Sequence, residues 1–212
     1  MLGLLSSNPL EFFILIACLV ISIAIHEFAH AFTAYKLGDS TPKLQGRVTL
    51  NPLAHIDPLG LLLVVLAGFG WGRPVEFDIY NLRNPKRDVL LIALAGPVSN
   101  IVLAFLIYVI GTFFGFNDAL YQLMFLNLAL AVFNLIPVAP LDGFNVVTGL
   151  LPYNLAYKWR DLESYGIYIL ILLLLTDATK YVIYPAITLI LSIFKTLIWV
   201  WISSWQGKFF EL

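Results

Sequence analysis

The chain has 212 residues, 60% of them hydrophobic and 12% charged, with a formal net charge of −1 and a mean hydropathy of +0.90. That is too little polar surface to coat a water-soluble globule of this length, so the composition reads as a polytopic membrane protein whose surroundings are a lipid bilayer. The 12 basic residues are scattered, which gives no electrostatic footprint for nucleic acid, and the single cysteine, Cys18, excludes an intrachain disulfide and reads as a small buried hydrophobe.

The N-terminus has neither the basic region nor the small-residue cleavage site of a leader, so its first apolar run is expected to be a retained membrane helix. Asn8 as N-cap, Pro9 at the first helical position and Glu11 at the third mark where it starts. Apolar stretches suited to crossing about 30 Å of hydrocarbon fall at 10–36, 88–114, 119–137, 164–177 and 181–203, the fourth being short. The expected fold is an all-α polytopic membrane protein of about five transmembrane helices. It forms a single domain over 1–212, with a core at about 8–150 and C-terminal helices at about 160–205.

Between the first two spans, residues 38–87 alternate in polarity at Lys43 to Leu50 and Val75 to Tyr80, around an apolar run from Leu59 to Phe69 that is too short to span. This pattern predicts two short strand pairs, a small β element, and a re-entrant or interfacial turn. Six basic residues lie here, Lys43, Arg47, Arg73, Arg83, Lys86 and Arg87, with Lys36 at the preceding helix end. By the excess of cations on cytoplasmic loops, this stretch faces the cytoplasm and the N-terminus faces out. Lys158, Arg160 and Lys208 fall on the same inner side, and only Lys180 falls outside. Lys195 lies within a span, with no role that the sequence reveals.

Inside the first span stand His26, Glu27 and His30, in the run HEFAH. Each ionisable group in hydrocarbon costs kilocalories, which makes the cluster a functional site by default. His26 and His30 are one helical turn apart on one face, so both imidazoles reach one metal ion, and Glu27, about 100° around the helix, reaches a water on that ion. This is the ligand pattern of a zinc hydrolase. About 16 residues into the helix, the pair lies about 24 Å from the outer end, embedded in the membrane toward the cytoplasm.

A catalytic zinc takes three protein ligands and leaves a fourth position open. The candidates for the third are Asp142, Asp57, Glu76, Glu163 and His55. Asp142 is favoured, because the third span runs inward into NLIPVAPLDG at 134–143, where two prolines forbid regular helix and fold the chain back to the depth of the histidines. Non-helical backbone at that depth is tolerated only when it is buried in protein or lines a cavity.

HEFAH in a membrane helix, NPLAHIDPLG at 51–60, GWGRPVEF at 70–77, NPKRD followed by ALAGPVSN at 84–100, and FNLIPVAPLDG at 133–143 resemble, in content and order, the site-2 protease family of intramembrane zinc metalloproteases. The likeness covers residues 20–145. It implies one zinc ion per chain held by His26, His30 and Asp142, Glu27 as general base, a substrate-contacting amide at Asn134, and transmembrane proteins or peptides as substrates. Ala139 stands where many relatives have proline. No segment resembles the PDZ or CBS-type domains of longer relatives.

Other polar residues carry weaker expectations. His55, in a turn bounded by Asn-Pro and Asp-Pro, reads first as structural; Asn100, after Gly96 and Pro97, reads as an amide bridging closely packed helices. Asn127 lies seven residues before Asn134, so one face of the third span is expected to be polar and to point inward. A substrate helix must unwind before its carbonyl is reachable, and an edge strand of the 38–87 stretch is expected to pair with the unwound segment. Rival readings are a membrane zinc transporter, a metalloprotease of another lineage with a glutamate as third ligand, and a non-catalytic binder of transmembrane segments.

Overall fold

The computed structural model describes residues 2–68, 70–176 and 178–209. Phe69 and Asp177, which end the expected re-entrant run and the fourth expected span, lie outside the described residues. The helices in chain order are α1 (Leu2–Ser7), α2 (Pro9–Leu37), α3 (Thr41–Leu44), α4 (Pro58–Ala67), α5 (Pro85–Phe114), α6 (Asp118–Asn134), α7 (Asp142–Leu150), α8 (Tyr153–Arg160), α9 (Gly166–Leu175) and α10 (Lys180–Phe209).

Local chemistry sets their ends. Asn8 accepts a hydrogen bond from the Glu11 N–H at 3.3 Å and its amide donates to the Glu11 carboxylate at 2.9 Å, the reciprocal cap expected for α2. Gly38, with φ of +117°, closes the same helix in the left-handed region. Asn117 and Asp57 cap α6 and α4 by accepting from the Leu120 and Gly60 N–H groups. Among the described residues, three helices are long and apolar enough to cross a membrane: α2, α5 and the part of α10 from Lys180 to Ser203. The 17-residue α6 and 10-residue α9 are apolar but shorter.

The helices α2, α5 and α6 pack against one another, and α7 lies on α5. Ala104, Ile107, Met124, Leu128 and Val132 of α5 and α6 form the main apolar core, closed by Ile187 and Phe194 of α10. After α6 the chain turns through 135–141, where Ile136 and Leu141 pack with Leu170 of α9. A Cβ at Gly143 would run into the carbonyls of Leu135 and Ile136. The lack of a side chain there lets α7 begin hard against that turn, and this fixes where its first residue, Asp142, points.

The expected β element is absent: among the described residues there is no strand, only one antiparallel bridge, between Ile56 and Gly72. Side chains hold both segments in irregular backbone. Thr41 and Pro42 open a helical turn instead, and Gly46, at φ of +69°, ends it. The buried Arg47 guanidinium donates to the carbonyls of Ala54 and Arg73, Pro74 has no N–H to give, and the Val75 N–H goes to Glu27. Alternation at 75–80 reflects Phe77 and Ile79 packed against Ala34 of α2 and Val89 and Ile92 of α5, whereas at 43–50 Leu44 and Leu50 are exposed and Arg47 is buried, so neither segment is a paired strand. With no edge strand, the expected pairing with an unwound substrate falls as well.

The loop is anchored to the end of α2 by Asp39, which is fully buried. One of its oxygens accepts from the Thr41 N–H and hydroxyl at 3.0 and 2.7 Å and from Asn81 at 3.0 Å; the other accepts from the Asp78 N–H at 2.7 Å.

Candidate metal centre

Three side chains converge beneath the contact of α2 with α5. His26 Nε2 and His30 Nε2 are 3.0 Å apart, and Asp142 Oδ2 lies 3.1 Å from the first and 3.2 Å from the second. Both imidazoles are buried, and the carboxylate is nearly so. Of all the described His, Cys, Asp and Glu side chains, only these three gather closely enough to hold a metal ion together. They come from the start of α7 and from two successive turns of α2, as the spacing in HEFAH requires.

The other ring nitrogens decide the chemistry. His30 Nδ1 is 2.7 Å from the Ile92 carbonyl of α5, a group that only accepts, so Nδ1 carries the proton. His26 Nδ1 is 2.6 Å from Asn100 Oδ1, and the Asn100 amide is turned that way because its nitrogen donates to the Ser22 carbonyl at 3.1 Å and to Asn127 Oδ1 at 2.7 Å. In the neutral rings both Nε2 atoms are therefore bare lone pairs, facing each other and an anionic oxygen. Asp142 Oδ2 is buried and receives no hydrogen bond. Three electron pairs at 3.0 to 3.2 Å repel unless a cation stands among them, and that spread is within a few tenths of an ångström of the roughly 3.3–3.6 Å at which tetrahedral nitrogen and oxygen ligands 2.0–2.2 Å from one zinc ion stand apart. The donor set fits a metal.

Behind the centre lies a closed polar network. Ser22, Asn100 and Asn127 are each fully buried, and Asn127 also donates to the Ser22 hydroxyl at 2.9 Å. The sequence places Asn127 on an inward face and Asn100 as an amide bridging packed helices, which the hydrogen bonds from α5 to α2 and α6 match, but it does not reveal the contact with His26 or the part of Ser22. The signal was present in part: Ser22 precedes His26 by one turn, and Asn100 follows Gly96 by one turn. Gly96 is the point of closest approach, since a Cβ there would stand 2.6 Å from His26 Nε2 and would overlap His30 too.

Glu27 is half-buried, and its Oε2 accepts from the Val75 N–H at 3.1 Å. Asn134 ends α6, where its amide donates to the Leu130 carbonyl one turn back at 2.9 Å. The remaining candidate ligands are occupied apart from the centre: Asp57 caps α4, Glu76 accepts from Gln45 at 3.1 Å, and Glu163 is exposed in a short turn before α9. His55 is fully buried, with Nε2 2.8 Å from the Thr49 carbonyl and Nδ1 without a partner. Burial holds its pKa below the ordinary histidine value.

Over 184 residues, 81% of this chain and 84% of the relative, the sequence is 40% identical to the protein named "Putative zinc metalloprotease YwhC" in Bacillus subtilis. The chain belongs to the site-2 protease family. A second member, named "Putative zinc metalloprotease Rip2" in Mycolicibacterium smegmatis, is 32% identical over 79% of this chain and 68% of its own length. A more distant one, named a zinc metalloprotease in Methanocaldococcus jannaschii, is 26% identical over 71% of this chain and 38% of its own. No family model matches the chain. No solved structure matches it either.

Proposed function

We propose that this metalloprotease cuts peptide bonds within or beside transmembrane segments of other membrane proteins, at a zinc ion held by His26, His30 and Asp142. The observation that carries the reading is the pair of bare Nε2 atoms turned onto an unsatisfied carboxylate oxygen in the middle of a membrane-length helix packing. When bound there, zinc supplies a Lewis acid that polarises the scissile carbonyl and makes water acidic near neutral pH.

The chain's own residues do the rest. Glu27 takes the proton from the attacking water and passes it to the leaving amine. The Val75 N–H on Oε2 fixes the carboxylate and leaves Oε1 for that transfer. Asn134 has one amide hydrogen on the Leu130 carbonyl, and its second hydrogen and its carbonyl oxygen are the groups that hold the substrate backbone. Asn100 and the Ile92 carbonyl keep both imidazoles in the tautomer that binds metal. The buried Ser22, Asn100 and Asn127 network keeps those orientations from depending on solvent.

The reading includes a topology. Helices α2, α5 and α10 cross the bilayer, α6 crosses with the turn that follows it, α9, about 15 Å long, crosses only together with the residues on either side of it, and α4 dips into the inner leaflet without crossing. The basic stretch between α2 and α5 lies in the cytoplasm and the enzyme in the cell membrane. A helical substrate must unwind at the cut, so Gly, Pro or Asn near that bond favours cleavage.

The deciding experiment incubates purified, zinc-analysed protein with a single-span peptide, with and without chelator. Wild type is expected to cleave, chelator to stop it, and Glu27→Gln to retain zinc and lose cleavage by at least about a hundredfold. Cleavage by Glu27→Gln at the wild-type rate would remove Glu27 from the mechanism.

A further inference from the structure

On the side of the molecule that carries the basic loop, α7, α8 and the start of α5 enclose a cavity of about 270 Å³. Its walls are apolar, formed by Ile79, Pro85, Val89 and Ala156, and its lining holds two cations, Lys86 and Arg160. No carboxylate lines it, and among the described residues neither cation is paired with one. Lys86 Nζ stands 4.8 Å from the centroid of the Tyr153 ring, which orients its charge without neutralising it.

The surrounding helix carries the composition of a headgroup layer. In α8, YNLAYKWR, Tyr153 and Tyr157 are 78% and 75% exposed, beside Lys158 and Arg160, and amphipathic rings mixed with cations belong at the membrane–water boundary. An apolar hollow there accepts any acyl chain. Two uncompensated cations in the same hollow select a negatively charged headgroup.

We propose that this cavity binds one anionic phospholipid from the leaflet on the side of the basic loop. Its phosphate lies between Lys86 and Arg160, and the first part of an acyl chain lies on the apolar wall. The site stands apart from the metal centre but touches its scaffold: Thr148 and Gly149 in the lining belong to α7, the helix that starts with Asp142.

Native mass spectrometry of the full chain, released from mild detergent and titrated with phosphatidylglycerol or phosphatidylcholine, tests this. One phosphatidylglycerol is expected to be retained in preference to phosphatidylcholine. The double variant Lys86→Gln, Arg160→Gln should weaken its retention roughly thirty-fold, the equivalent of about 2 kcal/mol for two cations. Ala156→Phe, which fills the hollow and keeps both cations, should lose it too. Arg87→Gln with Lys158→Gln, which removes two cations of the same surface outside the lining, should not. Equal retention of the two lipids, undiminished binding by the double variant, or an equal loss in the control pair would overturn the proposal. So would displacement of the lipid by millimolar inorganic phosphate, which would mark a site for the free anion.

Discussion

Asn100 decides which nitrogen of His26 is available. Its Oδ1 holds the proton of Nδ1, and the two donors of its amide are spent on Ser22 and Asn127, so the group cannot flip without breaking three hydrogen bonds. Removing such an orienting partner of a metal-binding histidine costs 10–100-fold in metal affinity. Asn100→Ala is therefore expected to weaken zinc binding by that factor, measured by competition with a fluorescent chelator, while the fold persists. Unchanged affinity would show that the tautomer is set by something else. Gly96 gives a sharper case, because two effects oppose each other. Alanine is about 1 kcal/mol better than glycine inside a helix, so propensity alone makes Gly96→Ala more stable. The added methyl, however, falls among the imidazole nitrogens. Loss of bound zinc is expected to win, read as metal content of the purified variant. The pairing of His26 with His30 was legible because partners one turn apart on one helix need no tertiary information. Asp142 was legible because prolines broke the helix before it. The link from His26 to Asn100 spans 74 residues and depends on how α2 crosses α5, which no local pattern encodes.

The segment between α2 and α5 shows how side chains override a backbone pattern. Alternation at 43–50 and 75–80 is what a half-buried strand displays, yet at 75–80 the same period arises from an irregular segment laid on helices with every second residue inward, and at 43–50 burial does not follow it, since Leu44 and Leu50 are exposed. Arg47 turns its buried guanidinium inward onto the carbonyls of Ala54 and Arg73, which holds the first segment as an irregular loop. Asp39 then fixes the far end, and its titration gives a pH dependence. Burial raises its pKa, but the donors from Thr41, Asn81 and Asp78 outweigh that and hold it below the ordinary carboxylate value. A group lowered in the folded state stabilises fully above its unfolded pKa, and the contribution is lost as pH falls through the folded pKa. The Asp39 contribution is thus fully present at pH 5 and above, starts to decline near the unfolded value of about 4, and is lost only as pH falls through the lower folded value. Thermal unfolding of wild type against Asp39→Ala should show a gap in midpoint at pH 7 that closes on acidification through that window. A gap independent of pH would mean that Asp39 acts by packing and not by its charge.

How the helices meet the bilayer follows from length and charge together. Helix α2, with 29 residues, is about 43 Å long, more than hydrocarbon requires, so His26 and His30 lie at depth whichever end is cytoplasmic. Orientation rests on the cations: seven of the 12 lie at 36–87, whereas the short connection 115–117 between α5 and α6 has none. The proposed arrangement therefore puts residues 38–84 inside and the α5–α6 connection outside, a difference that a single-cysteine chain is well suited to test. Cys18 is buried, and its replacement by Ser gives a blank background. Leu44→Cys, at a position 86% exposed in the basic stretch, and Asp118→Cys, exposed at the start of α6, then report the two sides. A membrane-impermeant maleimide added to intact cells is expected to label Asp118→Cys and spare Leu44→Cys, and inverted vesicles should reverse the result. Labelling of both from one side would mean that α5 does not cross. The inverted pattern would place the metal centre near the outer leaflet, and the charge asymmetry of the loops would then have misled about which face of the membrane supplies water to Glu27.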